Sequence, residues 1–211
     1  MKNVVIFGAL LAASSLCAAE GYVGAVAAFT RLSDSCTPGY AECSGTQTKG
    51  FKLFGGAKLS PSQTLNLGPA RINRVEVAAM RFGRVNSRGT ETIYVIDESF
   101  DVVPQDASST HEVSANALAV AAVAELPVSS ELAVLARVGV AYVTATVSTR
   151  LDGAGNGSKS GNAIRPYLGL GVEYGLPMDI QLVGSVDWTR YNVDGRSGSA
   201  TQIGLGASVG F

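Results

Sequence analysis

Ile164-Arg165-Pro166-Tyr167-Leu168-Gly169-Leu170-Gly171-Val172-Glu173-Tyr174 alternates without a break. Ile164, Pro166, Leu168, Leu170, Val172 and Tyr174 fall on one face of an extended strand, and Arg165, Tyr167, Gly169, Gly171 and Glu173 on the other, because successive side chains of a strand point to opposite sides. A helix would scatter both sets. The next segment repeats the scheme, with Ile180, Leu182, Gly184, Val186 and Trp188 opposite Gln181, Val183, Ser185, Asp187 and Thr189. The last one does so again, with Thr201, Ile203, Leu205, Ala207, Val209 and Phe211 opposite Gln202, Gly204, Gly206, Ser208 and Gly210.

The same rhythm runs toward the N-terminus. Residues 131–151 set Leu132, Val134, Ala136, Val138, Val140 and Tyr142 against Leu135, Arg137, Gly139 and Ala141, and in the Ala-rich residues 112–126 Leu118, Val120, Ala122, Ala124 and Leu126 share a face. Residues 74–85 place Val75, Val77 and Ala79 against Glu76, Ala78 and Met80, with the pattern failing near Arg81. Residues 49–59 oppose Phe51, Leu53, Gly55, Ala57 and Leu59 to Lys52, Phe54, Gly56 and Lys58, and residues 21–32 oppose Val23, Ala25, Ala27 and Phe29 to Tyr22, Gly24, Val26 and Ala28. Eight strands result. Residues 33–48, 86–111, 152–162 and 194–199 are long polar connectors, whereas 127–130 and 176–178 are short turns. The connector 60–70 is longer than a turn and breaks that rule.

Among the 211 residues, 46% are hydrophobic and 16% charged, with 16 Lys and Arg against 17 Asp and Glu. This balance excludes disorder and a nucleic-acid surface built on net charge. No long charge-free apolar stretch follows the N-terminus, so a helical membrane protein is excluded. The N-terminus itself reads as a cleaved secretory signal over residues 1–19. Lys2 supplies the positive region, residues 4–11 and onward to Leu16 the apolar core, and Cys17-Ala18-Ala19 the small residues before Glu20. Export leaves Cys36 and Cys43, which bracket a Pro-Gly turn. A disulfide pinning a loop tip is the simplest reading of that pair, with free thiols or a metal as alternatives.

The non-apolar faces decide what surrounds the strands. They consist of Gly with a few charges, and an outward Gly face would give a soluble barrel weak strands and little solubility. Turned inward, the Gly residues make room for Arg137, Arg165, Glu173 and Asp187 in an eight-strand barrel barely wide enough to be filled by side chains. The apolar faces then meet lipid, and only closure pairs every backbone group there. The expected fold is therefore all-β, an eight-stranded antiparallel transmembrane up-and-down β-barrel over residues 20–211. Phe29, Tyr142 and Trp188 fall toward its outer ends and Tyr174 and Phe211 toward its inner ends, where aromatic girdles belong.

Gly21-Tyr22-Val23-Gly24-Ala25, Phe54-Gly55-Gly56, the run from Arg165 to Tyr174 and the terminal Val209-Gly210-Phe211 resemble the small eight-stranded outer-membrane barrels, the OmpA membrane domain and OmpX-like proteins. The resemblance covers essentially the whole mature chain. It implies an outer-membrane location in a Gram-negative bacterium, with Phe211 as the signal read by the barrel assembly machinery. It also implies that the periplasmic peptidoglycan-binding domain of larger members is absent. In that family inward acids and bases pair to plug or gate the lumen, and the matching positions are Glu76, Arg137 and Glu173. On strand seven the family's basic partner is replaced by Ser185, with Lys52 and Arg165 as compensating charges. Lys52, Glu76, Arg137, Arg165, Glu173 and Asp187 are thus the expected lumen network, because buried charges persist only when paired.

Three functions compete. The first is a non-enzymatic envelope barrel, at most a narrow pore, surrounded by outer-membrane lipid. The second is a surface-binding module, in which residues 86–111, carrying a net charge of −4, contact a host or matrix ligand. Ile93-Tyr94-Val95-Ile96 is a strand-forming run that would extend a hairpin beyond the membrane. The third is a lipid-modifying enzyme, and it has little to work with. His111 is the one imidazole, beside Ser109, Thr110 and Glu112, and no family spacing is matched. No catalytic residue, metal, cofactor or nucleic-acid partner is expected, and a closed barrel needs no neighbour for its edges, so the expected state is a monomer.

Overall fold

Alternation of apolar with small or polar residues produces eight long strands in the computed structural model. They are β1 (Gly21–Leu32), β2 (Gln47–Lys58), β3 (Ala70–Ile96), β4 (Val102–Pro127), β5 (Leu132–Leu151), β6 (Gly155–Gly175), β7 (Ile180–Val193) and β8 (Arg196–Gly210). The structure describes residues 20–33, 42–43, 47–96, 100–152, 155–193 and 195–211. The expected leader, residues 1–19, and the Cys36–Cys43 pairing lie outside those described residues.

Each strand pairs antiparallel with its neighbours in sequence, and β8 pairs with β1. Partners followed around the sheet run Tyr22, Gly56, Glu76, Ala121, Gly139, Tyr167, Thr189, Ala200 and back to Leu32. The path returns to β1 ten residues further along the strand. That stagger is the shear of a closed barrel with tilted strands, and closure removes the sheet's free edges. At the seam, Gly21 N–H donates to Phe211 O and Phe211 N–H to Gly21 O, both at 2.9 Å.

Burial separates the two faces as the alternation requires. Leu170 is 63% exposed between buried Gly169 and Gly171, and Leu205 is 77% exposed on the same outer wall. Such an apolar exterior suits lipid and not water. The interior divides in two. Toward the end bearing the short turns it is polar and charged; toward the other end Leu32, Phe82, Val85, Val113, Val143, Tyr191 and Val193 form an apolar core with Ala115, Ala145 and Ala200. The expectation of an interior of Gly and charges thus covers only half of its length.

The place where alternation fails near Arg81 is a β-bulge. Arg81 pairs with Asn116 but Arg84 with Ser114, so β3 carries one extra residue. Gly83 occupies it with φ of 73°, and a Cβ there would lie 2.4 Å from the Lys49 carbonyl oxygen. The bulge reverses the phase, turning Val85 and Ser87 inward after Met80 and Phe82. Thr30 Oγ1 donates to the Phe82 carbonyl at 2.5 Å, which anchors the distorted backbone to β1.

Several expected connectors prove to be strand. Within 86–111, β3 continues to Ile96 and β4 starts at Val102, and they pair from Arg84–Ser114 to Ile96–Val102, so the strand-forming run Ile93–Ile96 does extend a hairpin and most of the expected connector is ribbon. The β-branched and aromatic residues of Thr92-Ile93-Tyr94-Val95-Ile96 and Val102-Val103 favour this extended ribbon. Residues 155–162 likewise belong to β6 and 196–199 to β8. The long connector 60–70 contains Leu65–Leu67, which folds back on Ala70–Ile72 around Gly68, at φ of 65°.

Candidate functional site

The strands place their inward charges in two tiers. In the central tier Lys52 on β2 reaches Asp187 on β7, Nζ to Oδ1 at 3.0 Å, and Glu76 on β3, Nζ to Oε1 at 3.2 Å. Arg137 on β5 donates from Nε to both Glu76 oxygens, at 3.0 and 3.1 Å. Asp187 also accepts from Tyr167 OH and, on Oδ2, from Ser185 Oγ at 3.0 Å. The tier therefore crosses the lumen from β2 and β3 to β5, β6 and β7. Lys52 and Asp187 are 0% exposed, Arg137 1% and Glu76 2%, so the tier is shut off from solvent.

Such a bulky base in so narrow a barrel needs missing side chains opposite. A Cβ on Gly171 would sit 2.7 Å from Arg137 Nη1, and one on Gly169 would sit 2.9 Å from Asp187 Oδ1 and 3.2 Å from the Arg137 stem. The Gly-rich face of β6 is the mould for Arg137. Lys52 Nζ also lies 5.3 Å from the Phe54 ring and 5.9 Å from the Tyr167 ring, so aromatic faces complete its surroundings.

The second tier lies nearer the short turns. Arg74 on β3 bridges Glu173 on β6, Nη1 to Oε2 at 2.8 Å, and Glu125 on β4, Nη2 to Oε2 at 2.7 Å. Asn73 Nδ2 donates to the same Glu125 oxygen at 2.9 Å. Tyr22 OH, 3.4 Å from Glu76 Oε2 and with its ring 5.5 Å from the Arg74 guanidinium, links the tiers.

Of the residues expected in the network, the fold brings Lys52, Glu76, Arg137 and Asp187 into one tier. Glu173 joins the other, and Arg165 forms no ion pair among the described residues. Arg74, Glu125 and Tyr167 were missed. Arg74 shares the inward phase of Glu76, and Tyr167 that of Glu173, so alternation already held the signal. Ser185, in the position of a missing base, hydrogen-bonds Asp187, whose charge is met by Lys52 from β2.

Elsewhere, His111 is held on both ring nitrogens, Nε2 3.2 Å from Glu91 Oε1 and Nδ1 3.1 Å from Thr149 Oγ1. The Phe211 ring packs over Gly21, where a Cβ would come within 2.6 Å of it. Cys43 pairs in register with Ser87 on β3.

Residues 4–211 match the family model described as outer membrane protein beta-barrel domain. No curated protein matches the chain. Among solved structures, Ail, the attachment invasion locus protein of Yersinia pestis, is 13% identical with a TM-score of 0.49, over 92% of this chain and 99% of that one. Neisserial surface protein A is 15% identical with a TM-score of 0.46, over 90% and 97% of the two chains. A major outer membrane protein from Thermus thermophilus is 17% identical with a TM-score of 0.47, over 92% and 100%. The family match spans nearly the whole chain and agrees with the closed, lipid-facing strands, and on it the protein belongs to the outer-membrane β-barrel domain family and resides in the outer membrane.

Proposed function

We propose that this protein is a sealed, non-enzymatic component of the outer membrane that contributes to envelope integrity and conducts little or nothing. The observation that carries this reading is the central tier, in which Lys52, Glu76, Arg137 and Asp187 cross the lumen at 0–2% exposure. The apolar core formed by Leu32, Phe82 and Val143 closes the other half. A pore needs a continuous polar path, and these two plugs in series interrupt it. In this reading residues 1–19 direct export, and the assembly machinery recognises Phe211 at the closing seam. Reconstitution into planar lipid bilayers tests it: the wild-type barrel is expected to give no steady channels. Open channels comparable to those of a general porin would overturn it.

A second reading is favoured by the ribbon from Arg84–Ser114 to Ile96–Val102. At its end Tyr94 is 75% exposed, Ile96 70% and Phe100 88%, a cluster of apolar side chains far from the membrane-facing wall. Exposed apolar patches rimmed by polar residues mark contact surfaces. In this reading the ribbon binds a host or matrix protein. Replacing residues 90–108 by a Gly-containing turn is expected to leave heat-resistant folding intact and to abolish adhesion to protein-coated surfaces. Adhesion that survives this deletion removes the ribbon from consideration.

A further inference from the structure

The outward faces of four strands end alike on the side of the long hairpins. On β1 the outward residue after Phe29 is Arg31; on β2 the one after Phe51 is Lys49; on β7 the one after Trp188 is Arg190; on β3 the one after Ala79 is Arg81. All four bases are exposed, and none forms an ion pair among the described residues. The register makes them neighbours: Lys49 lies beside Phe29, Arg81 beside Phe51, and Arg31 beside Thr201, which lies beside Trp188. With β8 contributing Thr201 and Ser199, the bases occupy a contiguous arc over β7, β8, β1, β2 and β3. The other half of the rim differs. After Leu118, Tyr142 and Ile164, the outward residues of β4, β5 and β6 are Asn116, Thr144 and Asn162.

From this arrangement we infer that Arg31, Lys49, Arg81 and Arg190 form a binding surface for the phosphates of a phosphorylated glycolipid in the outer leaflet. Each base is the next outward residue, two positions beyond the last apolar side chain of its strand, which is headgroup level. Long hairpins face the exterior in this architecture, so the headgroups are those of the outer leaflet. Long basic side chains lay their stems on the apolar wall and lift their charge into the headgroups. Arginine forks match phosphate oxygens in pairs. Strand spacing gives the arc a width of about 20 Å, enough for more than one phosphate. A general anchor would ring the barrel; the neutral half of the rim shows a patch with one side. Glu112, the acid on the adjoining strand β4, lies 3.4 Å from Arg84 and not against these four bases.

The test uses the full folded chain in detergent. Its probes are lipopolysaccharide, the same glycolipid after chemical dephosphorylation, and inorganic phosphate. Wild type is expected to bind the phosphorylated form about tenfold or more tighter than the dephosphorylated one. A variant combining Arg31→Gln, Lys49→Gln, Arg81→Gln and Arg190→Gln is expected to lose that preference while keeping heat-resistant mobility. Arg150→Gln with Lys159→Gln, which removes charge further out on β5 and β6, is expected to keep it. If the fourfold variant fails to assemble, the two double variants, Arg31 with Lys49 and Arg81 with Arg190, give the same reading at smaller amplitude. Equal affinity for both glycolipid forms, or an equal loss in the β5 and β6 control, overturns the inference. Complete displacement by millimolar inorganic phosphate also overturns it, since free phosphate would then be the ligand.

Discussion

Arg137 on β5 and Glu76 on β3 face each other across the width of β4, with Nε 3.0 and 3.1 Å from the two carboxylate oxygens. Both are at most 2% exposed, and Glu76 is shared with Lys52. Removing Arg137 leaves two buried carboxylates, Glu76 and Asp187, to share the one charge of Lys52, and breaking a buried pair in this way costs about 3–5 kcal/mol. Arg137→Ala is therefore expected to lower the denaturant midpoint of the folded barrel strongly. Arg137→Met combined with Glu76→Gln should cost less than the sum of the single changes. Additive single effects in an unfolding series in lipid vesicles would show that the pair is not coupled.

Leu170 stands on the lipid face at mid-strand, with Gly171 beside it turned to the lumen. An Arg on the lipid face near the midplane costs about 2–4 kcal/mol. Leu170→Arg is expected to impair folding into bilayers, and Leu170→Phe to leave it unchanged. Vesicle folding yields compare them directly, and equal yields would contradict the assigned face.

Gly83 combines a left-handed φ of 73° with a Cβ site 2.4 Å from the Lys49 carbonyl. Gly83→Val is expected to destabilise by about 1–3 kcal/mol from the backbone conformation alone, and to disturb the phase reversal that buries Val85 and Ser87. Hydrogen exchange on β3 above the bulge should rise, while that of β6 and β7 stays protected. Uniform protection would mean that the bulge is not required.

Closure depends on the last strand. Deleting residues 203–211 removes the seam with β1 and leaves two unpaired edges where lipid offers no hydrogen bonds. Periplasmic degradation is expected for the deletion. For Phe211→Ala, which keeps the backbone bonds to Gly21, a milder insertion defect is expected, read by surface labelling of intact cells. Normal surface exposure of the deletion would argue against an eight-strand barrel.

Period-two alternation was enough to fix which residues face lipid, because in a strand a side chain's face follows from its parity alone. Leu170 and Gly171, or Val138 and Arg137, were separated before any contact was known. Parity also carried the limit of that reading: it broke at Arg81, and only the register of β3 against β4 showed that Gly83 adds one residue and reverses the phase. Strand length was hidden as well. Residues 86–111 read as a polar connector by composition; the run Ile93–Ile96 already pointed to an extended hairpin, but only the pairing of β3 with β4 showed that the ribbon is continuous with the barrel strands. Above all, parity tells that Lys52, Arg74, Glu76, Arg137, Glu173 and Asp187 point inward but not at what height. That height is set by the ten-residue shear, which staggers each strand against the next. It put Lys52 opposite Asp187 and gave Glu173 to Arg74, a pairing across the lumen that only the closed barrel decides.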